Sequence, residues 1–152
     1  MSVFYLDSSA WLKRYFQEPG TPWIQRLFES EERLASSILG YVEVASALTR
    51  QQVPRELDEQ NLVQLQEQLK EDWANLTGLP LTDELVEQAV GLTQHYKLRG
   101  ADAVHLATAL GLKDTMAEVS ESVVLVASDH DLLEVARQTG LSVEDPVRAA
   151  PR

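Results

Sequence analysis

Apolar and polar positions along this chain follow two periods, and the switches between them mark out its elements. The unbroken run Val3-Phe4-Tyr5-Leu6 reads as a strand buried on both faces. A helix is expected from about Ser9 to Gln17, ended by Pro19-Gly20, and Thr21-Pro22 then launches a second helix over Trp23 to Glu29. Arg33 to Ser37 is a short strand, and Ile38 or Leu39 to Gln51 a third helix. Pro54 is expected to start the next helix, whose apolar positions Leu62, Leu65, Leu69, Trp73 and Leu76 keep three- and four-residue spacing. Thr82-Asp83-Glu84 caps a helix running to about Tyr96, Ala101 to Leu112 forms a small-residue helix, Val123 to Ala127 reads as a central strand, and Asp131 to Thr139 as a helix closed by Gly140.

Alternation of this kind predicts an α/β fold: a mainly parallel central sheet flanked by helices in a three-layer sandwich. At 152 residues the chain has the length of about one domain. Residues 1–145 are read as that domain and 146–152 as a short tail, with Glu144 to Arg152 expected to be loose.

Into this apolar framework the chain inserts four acids. Asp7 ends the first strand, Glu43 sits in Leu39-Gly40-Tyr41-Val42-Glu43-Val44-Ala45, Asp102 opens Ala101-Asp102-Ala103-Val104-His105-Leu106-Ala107, and Asp129 follows Val123-Val124-Leu125-Val126-Ala127-Ser128. A carboxylate in such a setting is costly unless something neutralises it. A shared cation does so, and with no cysteine in the chain an all-oxygen set favours a hard ion such as Mg²⁺ or Mn²⁺. Asp7 and Asp129 fall just beyond the carboxyl ends of expected strands, where open α/β sheets gather ligands. Asp102 and Glu43 fall in or near the first turns of helices, where the dipole favours anions. One or two ions held there polarise a phosphoryl oxygen and lower the pKa of bound water, so the implied reaction is phosphodiester hydrolysis.

Each acid also has a plainer use. Asp7 and Asp129 suit helix N-caps after strands, and Asp102 suits a first-turn dipole residue. Asp131 is expected to satisfy the first-turn amides of the last helix, leaving Asp129 to reach toward Asp7 and Asp102. His95 reads as a helix-end residue, His105 as a satisfied core histidine or a partner orienting Asp102, and His130 as a phosphate contact when protonated. Trp11, Leu12, Tyr15 and Phe16 share one helical face, and Trp23, Ile24, Leu27 and Phe28 repeat the pattern. Core packing accounts for most of them, while two adjacent aromatic helices also offer a groove to a partner helix.

Charge argues against a general nucleic-acid coat. Thirteen basic against 24 acidic residues give a net charge of −11. A nuclease survives that objection, because ions cancel charge locally and a few cations guide a phosphate; Lys13, Arg14, Arg50, Arg55, Lys97 and Arg99 are the candidates. The start Met1-Ser2-Val3-Phe4 lacks a signal-peptide pattern and no stretch has membrane-spanning length, so a soluble, cytoplasmic protein with no membrane contact is expected.

The four acids in their contexts, Leu6-Asp7-Ser8-Ser9-Ala10, Glu43 in the third helix, Gly100-Ala101-Asp102-Ala103-Val104-His105 and Ala127-Ser128-Asp129, resemble the acidic quartet of PIN-domain ribonucleases, most closely the VapC-like toxins of toxin-antitoxin pairs. The resemblance spans Val3 to Glu144. It implies a parallel sheet between helices, Mg²⁺ or Mn²⁺ held by Asp7, Glu43, Asp102 and Asp129, and RNA cleaved with water as nucleophile, Glu43 or a metal-bound water assisting deprotonation. Ser8 or Ser9 then hydrogen-bonds a ligand or phosphate near the Asp7 turn, with Asp131 as a further supporting candidate. A homodimer inhibited by a cognate antitoxin is the implied assembly. Two alternatives stay open at this level: a PIN-like RNA-processing nuclease without an antitoxin, and a phosphoacceptor signalling domain, which normally has paired acids after its first strand and a lysine after a late one.

Overall fold

The five strands share one direction. In the computed structural model, which describes residues 1–152, β1 (Ser2–Leu6), β2 (Arg33–Ser37), β3 (Thr77–Leu79), β4 (Ser122–Val126) and β5 (Ser142–Glu144) form a parallel sheet in the order β3-β2-β1-β4-β5. β1 lies at the centre, with Tyr5 opposite Ala35 on one side and Leu125 on the other. Successive side chains of a strand face opposite ways, and the central strands use both faces. Val3, Tyr5, Val123 and Leu125 enter one core; Phe4, Leu6, Val124 and Val126 enter the other.

Each core is closed by its own helices. α5 (Asp83–Tyr96), α6 (Gly100–Ala117) and α7 (His130–Gln138) cover the first face through Ala89, Leu106 and Leu132. α1 (Ser8–Trp11), α2 (Thr21–Glu29), α3 (Ile38–Arg50) and α4 (Glu59–Asn75) cover the second through Trp11, Ile24, Leu48 and Leu69. The three-layer α/β sandwich expected from the alternation is therefore the fold observed.

The departures are local and have physical causes. The first helix is shorter than Ser9 to Gln17: α1 ends at Trp11 and tightens into a 3-10 turn over Leu12–Arg14. Beyond it the Thr21 hydroxyl bonds the carbonyls of Lys13 and Phe16, at 2.8 and 2.6 Å, and so holds the chain in a non-helical course. α4 begins at Glu59, not Pro54, because Asp58 caps it by accepting from the Asn61 amide at 2.7 Å, while Glu56 takes a positive φ of 52° in the preceding turn. β3 and β5, three residues each, are edge strands too short to carry an alternation signal.

The aromatic groove is corrected as well. Trp11, Tyr15 and Trp23 are buried, and Phe28 is half-buried with the Arg14 guanidinium 4.1 Å above its ring. Three of the four are core, so the expected groove does not run along them, and Phe28 alone of these borders an open cleft, with Arg14, Asp72 and Leu76. The tail is not loose either: the Asp145 carboxylate accepts from the Val147 amide at 3.0 Å and the Ser128 hydroxyl at 3.3 Å, and Arg152 reaches back to the Phe4 and Trp23 rings.

Asp72 anchors α4 to this second core. Buried, it accepts from Arg14 Nε at 2.6 Å, Arg14 Nη2 at 3.0 Å and the Tyr15 hydroxyl at 2.6 Å. Asp72→Ala is expected to cost about 3–5 kcal/mol, because it strands a nearly buried guanidinium. Asp58→Ala, which removes only an exposed cap of the same helix, should cost about 1 kcal/mol. Urea unfolding of both variants checks the ranking; equal losses would mean that Arg14 is repaired by water or Gln25.

Candidate functional site

In a parallel sheet every strand delivers its exit turn to the same edge, and the acids lie along that edge. The Asp7 amide donates to the Val126 carbonyl at 3.0 Å, which fixes the end of β1 beside the end of β4. Asp7 is only 2 % exposed, and its Oδ1 accepts from the Ala10 amide at 3.1 Å and the Ser9 hydroxyl at 2.6 Å. It thus caps α1 as its plainer reading required, yet both bonds fall on Oδ1, leaving Oδ2 for another partner. Ser9 Oγ in turn accepts from the Ser128 amide at 3.1 Å and joins the two strand-end turns. Burial pushes the Asp7 pKa up, a shift opposed by the His105 charge and the Ser9 and Ala10 bonds.

Glu43 lies in the second turn of α3, one turn later than expected. Gly40 permits this placement: a Cβ there would stand 2.5 Å from Ser36 Oγ and 3.2 Å from His105 Cε1. Glu43 Oε1 is 2.5 Å from His105 Nε2, and His105 Nδ1 is 2.8 Å from the Tyr5 hydroxyl. A carboxylate only accepts, so Nε2 carries the hydrogen between them. Burial alone would lower the His105 pKa; the Glu43 bond and the charges of Asp7, Glu43 and Asp102 outweigh it and raise the value. Ser8, Ser9, Val42, Glu43, Ser46 and Arg50 line an open cleft here, so Ser8 stands where a ligand of the Asp7 turn could meet it.

Asp102, in the first turn of α6, and Asp129, the N-cap of α7, face each other across one cation. Arg99 Nε donates to Asp102 Oδ2 at 3.1 Å, and Arg99 Nη2 to Asp129 Oδ2 at 2.7 Å. Asp129 Oδ1 accepts from the Leu132 amide at 3.0 Å. The division of labour between the two neighbouring aspartates is thereby corrected: Asp129 both caps α7 and faces Asp102, whereas Asp131 caps nothing and lines the cleft beside Arg99. The reason is that the strand-to-helix turn is one residue tighter than expected, so α7 starts at His130. Burial, then the charge of Asp129, raises the Asp102 pKa against the pull of Arg99.

The charges of these groups are mutually felt, Asp7 with His105 and Asp102, and Asp102 with Asp129. In this conformation, however, no three of the acidic and histidine side chains stand close enough to hold one ion. Their chemistry fits a hard divalent cation: oxygen donors, a buried carboxylate with one oxygen unbonded, and two more sharing a guanidinium. Their spacing leaves the set open, so the convergence expected of all four is realised as a shared sheet edge and not as a closed shell. Of the cations offered as phosphate guides, Lys13 and Arg55 pair with Glu18 and Arg14 with Asp72, which leaves Arg50, Lys97 and Arg99 facing the clefts.

His105 is the satisfied core histidine that the sequence suggested, but sequence reasoning missed the role of Tyr5 and the partner of His105, which holds Glu43 and not Asp102. The three-residue spacing of Asp102 and His105 puts both on one side of α6, but nothing local links His105 to a residue 62 positions earlier.

Comparison with known proteins places these features in a family. Residues 4–138 match the PIN domain. The chain is 34 % identical over 114 residues to the ribonucleases VapC45 and VapC49 of Mycobacterium tuberculosis, covering 75 % of this chain and 79 % of each of them. Among solved structures, the FitAB complex bound to a DNA fragment superposes with a TM-score of 0.71 at 15 % identity, covering 97 % of both chains. VapBC-1 of nontypeable Haemophilus influenzae gives 0.63 at 17 % identity, over 96 % of this chain and 99 % of that one. VapC20 of M. tuberculosis, a toxin that cleaves the sarcin-ricin loop, gives 0.60 at 18 % identity, over 87 % and 94 %. The acidic sheet edge, the order of the elements and the match over residues 4–138 together make this chain a member of the PIN-domain family, alongside ribonucleases of the VapC type.

Proposed function

We infer that this protein is an endoribonuclease that hydrolyses RNA phosphodiester bonds and serves as the toxin of a toxin-antitoxin pair. The observation that carries the reading is the gathering of Asp7, Glu43, Asp102 and Asp129 along the carboxyl edge of a parallel sheet, in a chain related to VapC ribonucleases over three quarters of its length. Residues 1–145 form the nuclease unit in this reading. Mg²⁺ or Mn²⁺ is the cofactor, RNA the substrate, a second copy of the chain and a cognate antitoxin the protein partners. No helix is long and apolar enough to cross a membrane. The phosphoacceptor alternative is dropped with the family match.

Asp7, Asp102, Asp129 and Glu43 would hold the ion, which supplies Lewis-acid polarisation of the phosphoryl oxygen and a water of lowered pKa. The rest falls to the chain itself. Ser9 holds Asp7 Oδ1 and the Ser128 amide together, so the unbonded Asp7 oxygen keeps a fixed position at the sheet edge. The Tyr5–His105 pair pins one oxygen of Glu43 and leaves the other to accept a proton from an attacking water. Arg50, at the mouth of the Glu43 cleft, supplies positive charge for the RNA backbone.

Asp7→Asn is expected to leave the circular dichroism spectrum unchanged and to lower Mn²⁺-dependent RNA cleavage by at least about 100-fold, beyond what loss of a supporting residue costs. A folded variant cutting at the wild-type rate would refute the assignment, and chelation by EDTA should abolish wild-type cleavage.

The structure also sharpens the contrast within Ser128-Asp129-His130-Asp131. Asn caps helices about as well as Asp, so Asp129→Asn should keep stability within about 0.5 kcal/mol while losing most activity. Asp131→Asn should change neither. Thermal melts and single-turnover cleavage at matched, subsaturating Mn²⁺ compare them, and the reverse order of activities would put Asp131 in the ion's shell.

A further inference from the structure

Arg99 stands where helix chemistry does not want it. It is the N-cap of α6, a position that favours small side chains able to bond the free amides, and its side chain makes no capping bond. Its positive charge also opposes the helix dipole at that end. What the residue does instead is bridge two helices. Its fork takes Asp102 Oδ2 at 3.1 Å through Nε and Asp129 Oδ2 at 2.7 Å through Nη2. The two carboxylates it joins lie 27 positions apart and are both among the acids assigned above to the ion.

The same guanidinium is held weakly. Its side chain is 77 % exposed, so solvent screens both pairs, whereas Asp102 and Asp129 are 13 % and 24 % exposed. An exposed monovalent cation on two sheltered, mutually repelling carboxylates offsets their charge without burying itself. A hard divalent ion competes for the same two oxygens with twice the charge. The Arg99 fork thus spans the gap between Asp102 and Asp129 and occupies one oxygen of each.

We propose that Arg99 is a displaceable internal counter-cation: it holds Asp102 and Asp129 in the ion-free protein and must release both before a divalent cation closes the site. The proposal rests on the ion-dependent reading given above and adds that the chain competes with its own cofactor. Arg99 thus acts on ion binding through the two aspartates, as a positioning residue, and sets the ion concentration at which the site fills. Arg99 already lines the cleft with Lys97, Asp102 and Asp131, so its release leaves an unpaired guanidinium beside the acids.

Isothermal titration of the full chain with Mn²⁺ alone, without RNA, tests it. Arg99→Gln should tighten the Mn²⁺ dissociation constant by about tenfold, and the rise in melting temperature at a fixed, subsaturating Mn²⁺ concentration should grow accordingly. Lys97→Gln removes the same charge two residues away, outside both ion pairs, and should tighten binding by less than about twofold. If Arg99→Gln binds Mn²⁺ as the wild type does, or more weakly, the competition is disproved while the ion site stands. Equal tightening by Lys97→Gln would reduce the effect to net charge and overturn the proposal too. A wild-type protein that shows no Mn²⁺ binding at all would overturn the ion-dependent reading itself.

Discussion

Everything at the candidate site follows from the fixed direction of five parallel strands. A parallel ladder sends each exit turn to one edge and puts each return crossover on a face. Asp7 and Asp129 exit from β1 and β4, which pair from Ser2–Ser122 to Leu6–Val126, so the register that buries Tyr5 and Leu125 also sets these two turns side by side. The bond from the Asp7 amide to Val126 and the Ser9–Ser128 bond continue that ladder beyond the last strand residue. A slip of two residues in this one pairing would keep both cores apolar and dismantle the site.

Gathering four carboxylates is electrostatically unfavourable, and the fold spreads the cost over three devices. Asp7 is buried against amide and hydroxyl donors, which carry part of its charge. Glu43 leans on a buried imidazole that Tyr5 supports from the opposite side. Asp102 and Asp129 share one guanidinium from outside. The three solutions differ in how readily they yield: the buried donors are rigid, the imidazole is locked between two partners, and the arginine is free to leave. Preorganisation sits on the β1 side of the site, adaptability on the α6–α7 side.

The negative net charge is consistent with this arrangement. A chain at −11 attracts divalent ions and repels a phosphate backbone except where cations are left unpaired. Lys13, Arg14 and Arg55 are spent on Glu18 and Asp72 inside the second core's rim, where they tie the 3-10 turn to α4 and to the turn before it. Arg50, Lys97 and the displaceable Arg99 remain beside the acids, so positive charge is concentrated where RNA must approach.

Periodicity and composition by themselves determined the layer architecture, the main strands, most helices and the four acids, because each leaves a local mark: an apolar run with a carboxylate at its end, or an acid within a helical stretch with little other charge. The family resemblance was legible for the same reason, being an ordered set of such marks. What tertiary structure decided is what those residues touch. That Asp129 caps α7 and Asp131 does not depends on a turn one residue tighter than the pattern implies. That His105 serves Glu43 depends on Gly40 letting α3 approach α6, and that Arg99 joins Asp102 to Asp129 depends on two helix starts meeting at a sheet edge. Local sequence carries propensity and polarity over a few residues; contacts between groups tens of positions apart exist only once the sheet has set their distance.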